Sequence, residues 1–332
     1  MSSSKKEKFY GVNDELWGHK WGFKDSSFII NDDNSITFTG ARYDGISGEK
    51  LPYLIPFVTK VLDTEINKEP YFKEVKKKFV SERILNRAFI DAIESSFAED
   101  KLSLSDDERI LHSHGQNSPD EVFKVLYDKL DKFTDLIIYV ETEEDVVLLI
   151  DLAKKHNVCL VPFGGGTNVT NALQLPKNET RMIVTVDTRR LNRIISIDQK
   201  NLLVEVEAGI TRKELEKQLQ DKGYTTGHQP DSIELSTVGG WISTNAAGMK
   251  KNRYGNIEDI VQNLVMVTPN GIINQIEPLV RSSIGIKTQN ILFGSEGNLG
   301  IITKATMKIH RLPECSDYES VVMKDWNTGL DF

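Results

Sequence analysis

Three glycine-rich segments carry the residue types best suited to holding a ligand. The first is PFGGGTNV, which directly follows the apolar run VCLV and contains the three consecutive glycines Gly164 to Gly166. Residues without a Cβ can adopt positive φ and can turn successive backbone N–H groups inward, as in an anion-binding nest. Thr167 and Asn168 add side-chain donors. The segment predicts a phosphate or pyrophosphate site, and a tight turn is the alternative for this loop taken alone.

Two better-known nucleotide motifs do not fit this loop. In the dinucleotide fingerprint G-x-G-x-x-G, the third glycine would fall at Val169, and that motif must run directly into a helix. A nucleoside triphosphate P-loop needs G-x-x-x-x-G-K-[ST], which occurs nowhere in the sequence. The ligand is therefore not expected to bind in either of those ways.

Two later segments have a similar character. The stretch from Asp231 to Gly248 is dense in glycine, alanine and hydroxyl residues, and Ser236 or Thr237 is suited to cap a short helix. FGSEGNLGIIT then places three glycines, Gly294, Gly297 and Gly300, just before an apolar strand candidate. Helix capping and loop packing explain each segment separately, but the three together favour one large ligand.

Strands and helices alternate around these segments. LIIYV is followed by a helix that Thr142 and Asp145 should cap, and then by VCLVP, which predicts a β-α-β unit. MIVTVD, NRIISI and LLVEVEAG are further strands, Thr211 and Glu214 should cap another helix, and residues 300–311 form a last strand. The fold class is α+β, with a mainly helical region over residues 1–130, a ligand-binding domain over 131–313 and the start of a further domain over 314–332.

Composition limits the function classes. The chain has 332 residues, enough for about two domains, and its net charge of -8 argues against a nucleic-acid partner. Cys159 and Cys315 form no CxxC pair, and His112 with His114 lacks a nearby third ligand, so no metal site is expected. The N-terminus lacks a signal-peptide core, and no apolar run approaches the ~20 residues that span a bilayer.

At this point the residues resemble a known group. PFGGGTNV and GSEGNLGIIT are similar to signatures of the vanillyl-alcohol-oxidase-type flavoproteins, whose PCMH-type domain holds FAD between two α+β lobes. WGFKDSSF, TGHQPDSIELSTVGGWIST and GMKKNRYGNIEDIV resemble the alkylglycerone-phosphate synthase family more narrowly. Carried over position by position, the resemblance implies these FAD contacts: Pro162, Phe163, Gly164, Gly165, Gly166, Thr167, Asn168, Asp231, Ser232, Ile233, Glu234, Leu235, Ser236, Thr237, Thr244, Asn245, Ala246, Ala247, Glu296, Gly297, Asn298, Leu299, Gly300, Ile301 and Ile302.

The resemblance also implies an activity. Similar enzymes exchange the acyl group of acyl-dihydroxyacetone phosphate for a long-chain fatty alcohol in ether-lipid biosynthesis, using FAD without net redox change. They are expected in peroxisomes, as homodimers in peripheral contact with a membrane. Their acid–base residues lie in a domain after the flavin domain, so we expect this chain to be C-terminally truncated and assign it no catalytic residue.

Two other classes stay open. An FAD-linked 2-hydroxy-acid dehydrogenase, acting on D-lactate or glycolate, would share the glycine segments but has no reason to carry WGFKDSSF or GMKKNRYGNIED. A non-catalytic FAD-binding fragment would need only the loops. Reduction of bound flavin by D-lactate or glycolate distinguishes the dehydrogenase.

Overall fold

The N-terminal region combines helices with a small sheet. The computed structural model describes residues 15–18, 20–40, 45–66, 79–274, 283, 285 and 287–332. The helices of this region are α1 (Leu54–Leu62), α2 (Arg87–Ser96), α3 (Asp106–Leu111) and α4 (Pro119–Leu126), with a 3-10 turn at Glu99–Lys101. Before them lies an antiparallel meander of β1 (Ser27–Ile30), β2 (Ile36–Thr39) and β3 (Lys50–Leu51). Among the described residues of this region helix outweighs strand, as predicted, but the sequence did not predict the meander.

The first lobe is built on a four-stranded sheet. Its elements are β4 (Leu102–Ser103), β5 (Leu136–Tyr139), α5 (Glu143–His156), β6 (Cys159–Phe163) and β7 (Ile183–Asp187). The strand order is β4-β5-β7-β6, and β5 and β6 both run parallel to β7. The predicted capping box is present, because Thr142 accepts from the Asp145 N–H and Asp145 accepts from the Thr142 N–H. The β-α-β unit is thereby confirmed.

The second lobe is an antiparallel sheet covered by helices. Its strands are β8 (Ile194–Asp198), β9 (Leu203–Glu207), β10 (Tyr224–Thr225), β11 (Val261–Thr268), β12 (Gly271–Asn274), β13 (Ile301–Lys308) and β14 (His310–Arg311). Its helices are α6 (Arg212–Gln220), α7 (Val238–Ser243), α8 (Lys251–Tyr254) and α9 (Ile257–Ile260), with a 3-10 turn at Thr288–Ile291. The large sheet has the order β12-β11-β13-β9-β8. Trp241, Ile242 and Leu215 pack in its core.

Helix α5 joins the two lobes. Its first-turn residue Glu143 accepts a hydrogen bond from Thr303 Oγ1 at 2.7 Å and lies 3.3 Å from Lys304 Nζ, both on β13. Val267 and Ile301 of the second lobe belong to the apolar core of the first. Burial of apolar side chains is the main force that holds packed layers together. The two lobes are therefore held in a fixed relative position where α5 and β13 meet.

The last segment of the chain is exposed. After β14 it has no buried residue, and it ends in α10 (Trp326–Asp331), which Asp325 caps through the Thr328 N–H. Across the described ranges, no helix combines the length and apolar character that crossing a bilayer needs.

The capping box of α6 gives a stability prediction. Replacing Thr211 with Ala removes the acceptor for the Glu214 N–H (3.3 Å) and one partner of the Glu214 carboxylate. We expect the free energy of unfolding to fall by about 1 kcal/mol, the usual cost of losing such a cap. Urea unfolding followed by circular dichroism measures the change. Gln218→Ala, on the exposed side of the same helix, should leave the midpoint unchanged, and equal midpoints for both variants would contradict the prediction.

Candidate cofactor site

A cavity of about 480 Å³ lies between the two lobes, and the three glycine-rich segments surround it. Most residues that the sequence assigned to the cofactor line it: Pro162 to Asn168, Asp231, Ser232, Ser236, Thr237, Thr244 to Ala247, Glu296, Gly297, Gly300, Ile301 and Ile302. The remaining five lie in the same loops but away from the cavity lining: Ile233, Glu234, Leu235, Asn298 and Leu299. Segments up to 140 positions apart in sequence thus form one concave surface.

The first loop touches the second backbone to backbone. A Cβ on Gly165 would overlap the carbonyl group of Leu235, and a Cβ on Gly164 would lie 2.5 Å from Thr237 Oγ1. Gly166 has φ +66, a conformation that strongly favours glycine. The glycine run is therefore required by the close approach of two loops as well as by the turn itself.

Thr237 organises the second loop. Its side chain caps α7 by accepting from the Gly240 N–H at 3.2 Å, as the sequence predicted for Ser236 or Thr237. The helix packs tightly on the neighbouring strand end, because a Cβ on Gly239 would lie 3.1 Å from the Ala208 Cβ. The hydroxyl of Thr237 consequently stays fixed between the capped helix and Gly164.

The third loop is tied to the end of α7 and to the first loop. The N–H groups of Gly294 and Glu296 donate to the carbonyls of Ile242 (3.0 Å) and Ser243 (2.9 Å). The Glu296 carboxylate accepts from Thr170 Oγ1 at 2.6 Å, which closes one end of the cavity. These bonds connect all three segments into one wall.

Three lining residues with side chains hold left-handed backbone conformations. They are Ser232 (φ 58), Asn245 (φ 48) and Glu296 (φ 46). Such conformations cost free energy in L-residues and persist where the surrounding structure enforces them, often at ligand sites. Because all three residues line this cavity, we infer that the surrounding structure imposes these unfavourable conformations on its loops.

Sequence reasoning missed a residue that bridges two of the loops. Asn117 lines the cavity, and its Nδ2 donates to the Thr167 carbonyl at 2.9 Å and to Ser232 Oγ at 2.6 Å. It belongs to the N-terminal region, in which the sequence assigned no cofactor contact. No local signal identifies it, since its partners lie 50 and 115 positions away.

The N-terminal segment supports the same loops from behind. Trp21 Nε1 donates to the Gln116 carbonyl at 2.7 Å, and the Gln116 N–H donates to the Gly166 carbonyl at 2.7 Å. Leu16 and Leu235 meet in a small apolar cluster. The WGFKDSSF motif that begins at Trp21 therefore contributes to the rigidity of the site.

A buried charge network underlies Phe163 of the first loop. The His112 ring lies 4.5 Å from the Phe163 ring, and its Nε2 lies 2.9 Å from Asp187 Oδ2. Burial alone would raise the pKa of Asp187, but the Arg189 guanidinium and His112 hold it well below its usual range. His114 is also buried, with Nδ1 2.8 Å from the Gly115 carbonyl oxygen, so both histidines of the H-x-H pair belong to the scaffold. The described residues contain no cluster that could hold a metal ion.

The lining fits a nucleotide cofactor held by neutral groups. Its charged members among the described residues are Asp231 and Glu296, with no lysine, arginine or histidine. Ser236 Oγ and Trp241 Nε1 are buried in the lining without a hydrogen-bond partner in the described structure. Buried polar atoms are normally hydrogen-bonded, so a bound cofactor or a water would supply the missing partner here. Pyrophosphate oxygens would be met by backbone N–H groups and hydroxyls rather than by cations.

His228 stands just outside this lining. Its ring packs edge-on against Trp241 at 5.2 Å, and both ring nitrogens lack a partner among the described residues. Burial, with the Arg212 charge, lowers its pKa to about 4. The neutral ring therefore acts at physiological pH as a packing partner of Trp241.

The two-lobed fold and the loop-lined cavity define a flavoprotein with a PCMH-type FAD-binding domain. A family profile described as "FAD binding domain" matches residues 134–277, which include the first two loops. The chain is a homologue of the alkyldihydroxyacetonephosphate synthases over most of its own length. It is 38% identical over 314 residues to the Caenorhabditis elegans alkyldihydroxyacetonephosphate synthase, covering 94% of this chain and 52% of that protein.

Other comparisons agree. The Dictyostelium discoideum alkyldihydroxyacetonephosphate synthase is 38% identical over 230 residues, or 69% of this chain and 37% of that protein. A solved alkyldihydroxyacetonephosphate synthase structure superposes with a TM-score of 0.82 at 31% identity, covering 92% of this chain and 55% of that one. The chain thus spans between 37% and 55% of the length of these three relatives.

Gly165→Ala tests the loop contact. The added methyl group would overlap the Leu235 carbonyl and force the loops apart. Overpacking of this kind costs about 1–3 kcal/mol, so FAD affinity should fall roughly ten- to hundredfold. Quenching of flavin fluorescence on binding measures the Kd. Gly45→Ala, where nothing lies within 4 Å of the new Cβ, is the control, and wild-type affinity in Gly165→Ala would refute the contact.

Asn117→Ala tests the bridge. Loss of two hydrogen bonds, each contributing about 1 kcal/mol, should weaken FAD binding roughly thirtyfold. Asn117→Asp, which keeps the size but cannot donate, should show a loss at least as large. Asn327→Ala, exposed on α10, should bind FAD as the wild type does. An Asn117→Asp variant with wild-type affinity would show that the bridge does not shape the site.

Proposed function

We propose that this chain supplies the FAD-binding part of an enzyme that exchanges the acyl group of acyl-dihydroxyacetone phosphate for a long-chain fatty alcohol. The carrying observation is the single cavity formed by three glycine-rich loops and braced by the N-terminal segment. That brace contains WGFKDSSF, the motif by which the sequence resembled the synthases rather than the dehydrogenases. Homology to the synthases over 94% of the chain supports the same choice.

The chain's own groups hold and orient the cofactor. Backbone N–H groups of Gly164 to Gly166 and the hydroxyls of Thr167 and Thr237 would meet the pyrophosphate, which needs donors where cations are lacking. The Trp241 indole N–H and the Ser236 hydroxyl offer further partners. When bound, FAD supplies the covalent nucleophile for the exchange, with no net oxidation or reduction.

No catalytic proton donor or acceptor is assigned to this chain. Of the two charged lining residues, Glu296 is engaged by Thr170, and Asp231 lies at the exposed edge of its loop. Both suit loop structure better than proton transfer at a buried reacting atom. The proposal therefore locates the acid–base groups and the substrate phosphate clamp outside the described cavity lining, as the family resemblance implies.

Further parts of the proposal rest on the same homology. We assign residues 131–313 to the FAD-binding domain, 1–130 to a mainly helical N-terminal region and 314–332 to the beginning of a substrate domain. The cellular setting would be the peroxisome. A homodimer and peripheral contact with a membrane complete the proposed assembly, because one substrate is a long-chain alcohol that partitions into lipid.

A chimera provides the test. This chain is joined to the part of the Caenorhabditis elegans relative that lies beyond the matched region, and the product is loaded with FAD. We expect it to release fatty acid from acyl-dihydroxyacetone phosphate and form the ether when hexadecanol is added. The same chimera with Gly165→Ala should lose this activity in proportion to its lost flavin.

Two results would contradict the proposal. One is a folded, FAD-loaded chimera that catalyses no exchange while the intact relative does. The other is bleaching of the bound flavin absorbance by D-lactate or glycolate under anaerobic conditions, which would favour the 2-hydroxy-acid dehydrogenase. If the chain does not bind FAD, both the synthase and the 2-hydroxy-acid dehydrogenase are excluded as functions.

A further inference from the structure

A second cavity, of about 440 Å³, adjoins the flavin cavity. It lies between α4 with the segment that follows it and the loop after the glycine run, and Thr170 lines both cavities. Its buried members include Ser113, Glu121 and Leu175, whereas Asp131 and Lys177 are exposed. The cavity thus has a buried polar floor and a charged, open mouth.

Glu121 is the central feature of the floor. Its side chain is buried, with the residue only 3% exposed, and Oε1 accepts from the Gly115 N–H at 2.7 Å. Oε2 is buried without any hydrogen-bond partner in the described structure. A carboxyl oxygen left in this state costs free energy unless a ligand or water pairs with it.

Asn171 supplies a second unpaired acceptor. Its Oδ1 is also buried without a partner, and its backbone holds a left-handed conformation with φ 58. Both unpaired atoms that line this cavity are oxygens. Two unpaired acceptor oxygens match the O–H donors of a hydroxylated ligand.

Lysines define the mouth. Lys124 and Lys177 are each paired with a carboxylate, Asp120 and Asp131 respectively. Lys132 instead donates to the Glu179 carbonyl at 3.0 Å, and no salt bridge neutralises it within the described structure. Its charge also acts on the Asp135 carboxylate, but an ammonium group has three N–H donors, and those not bound to Glu179 can meet an anion at the edge of the cavity.

We propose that this cavity binds a small phosphorylated polyol, with its hydroxyl groups against Glu121 and Asn171 and its phosphate beside Lys132. Glu121 and Asn171 on their own would accept any hydroxylated molecule, and Lys132 on its own would attract any anion. The arrangement selects a ligand that carries both groups a few bonds apart. The site is separate from the flavin cavity and does not depend on the function proposed above.

Calorimetric titration of the FAD-saturated wild-type chain with glycerol 3-phosphate tests the proposal. Glycerol and inorganic phosphate are titrated separately, and each should bind at least roughly tenfold more weakly, since each lacks one set of contacts. Saturation with FAD removes the flavin cavity as a competing site. The FAD affinity of every variant is measured first, which separates failure of this site from failure of the flavin site.

Four variants locate the ligand. Glu121→Gln should weaken glycerol 3-phosphate binding roughly tenfold while leaving phosphate binding unchanged, because only the floor is altered. Asn171→Gly, which keeps the left-handed backbone, should act in the same direction and serves if Glu121→Gln does not fold. Lys132→Met should weaken both ligands, and the exposed Lys129→Met should weaken neither.

Three outcomes would overturn the proposal. The first is the absence of saturable binding heat when glycerol 3-phosphate is added up to about 10 mM, a concentration at which only very weak binding would remain undetected. The second is inorganic phosphate binding as tightly as glycerol 3-phosphate, which would leave the floor without a role. The third is wild-type affinity in both Lys132→Met and whichever floor variant folds.

Discussion

The site depends on one close approach, in which the backbone of Gly165 rests directly on the carbonyl of Leu235. Any side chain at that position would separate the first lobe's loop from the second lobe's loop. The other contacts are arranged around this point. Asn117 bridges the same two loops by hydrogen bonds, and Leu16 and Leu235 belong to one apolar cluster. These loops also line the cavity between the lobes.

Electrostatics explains why the loops take this form. The chain carries a net charge of -8, and the described lining of the flavin cavity contains two acidic and no basic side chains. An anionic pyrophosphate would then be held by uncharged donors such as backbone N–H groups and hydroxyls, whose partial charges must converge to be effective. Several donors can point at one anion only if the loop backbone adopts unusual φ and ψ angles. Ser232, Asn245 and Glu296 have such angles, with left-handed conformations.

Local signals made much of the fold predictable. The capping boxes at Thr142 and Thr211 and the β-α-β unit depend on residues within a few positions of each other, and the structure has all of them. The glycine loops were recognisable because their composition is extreme. The sequence also indicated that these loops surround one cavity, because three such segments together favour a single large ligand.

Other features had no local signal. Asn117 and Trp21 act on partners 50 to 115 positions away, so only the folded chain shows their roles. The N-terminal meander was missed because β1, Ser27–Ile30, is exposed along its whole length and lacks the alternation that marks a half-buried strand. The second cavity combines Glu121 on a helix with Asn171 in a loop, and neither residue is unusual in sequence.

A structure of the FAD-loaded chain tests the central claim most directly. The account predicts one FAD per chain, with its pyrophosphate against Gly164 to Gly166 and Thr237 and with both lobes in contact with the cofactor. FAD located elsewhere, or held by one lobe without the glycine loop, would contradict it.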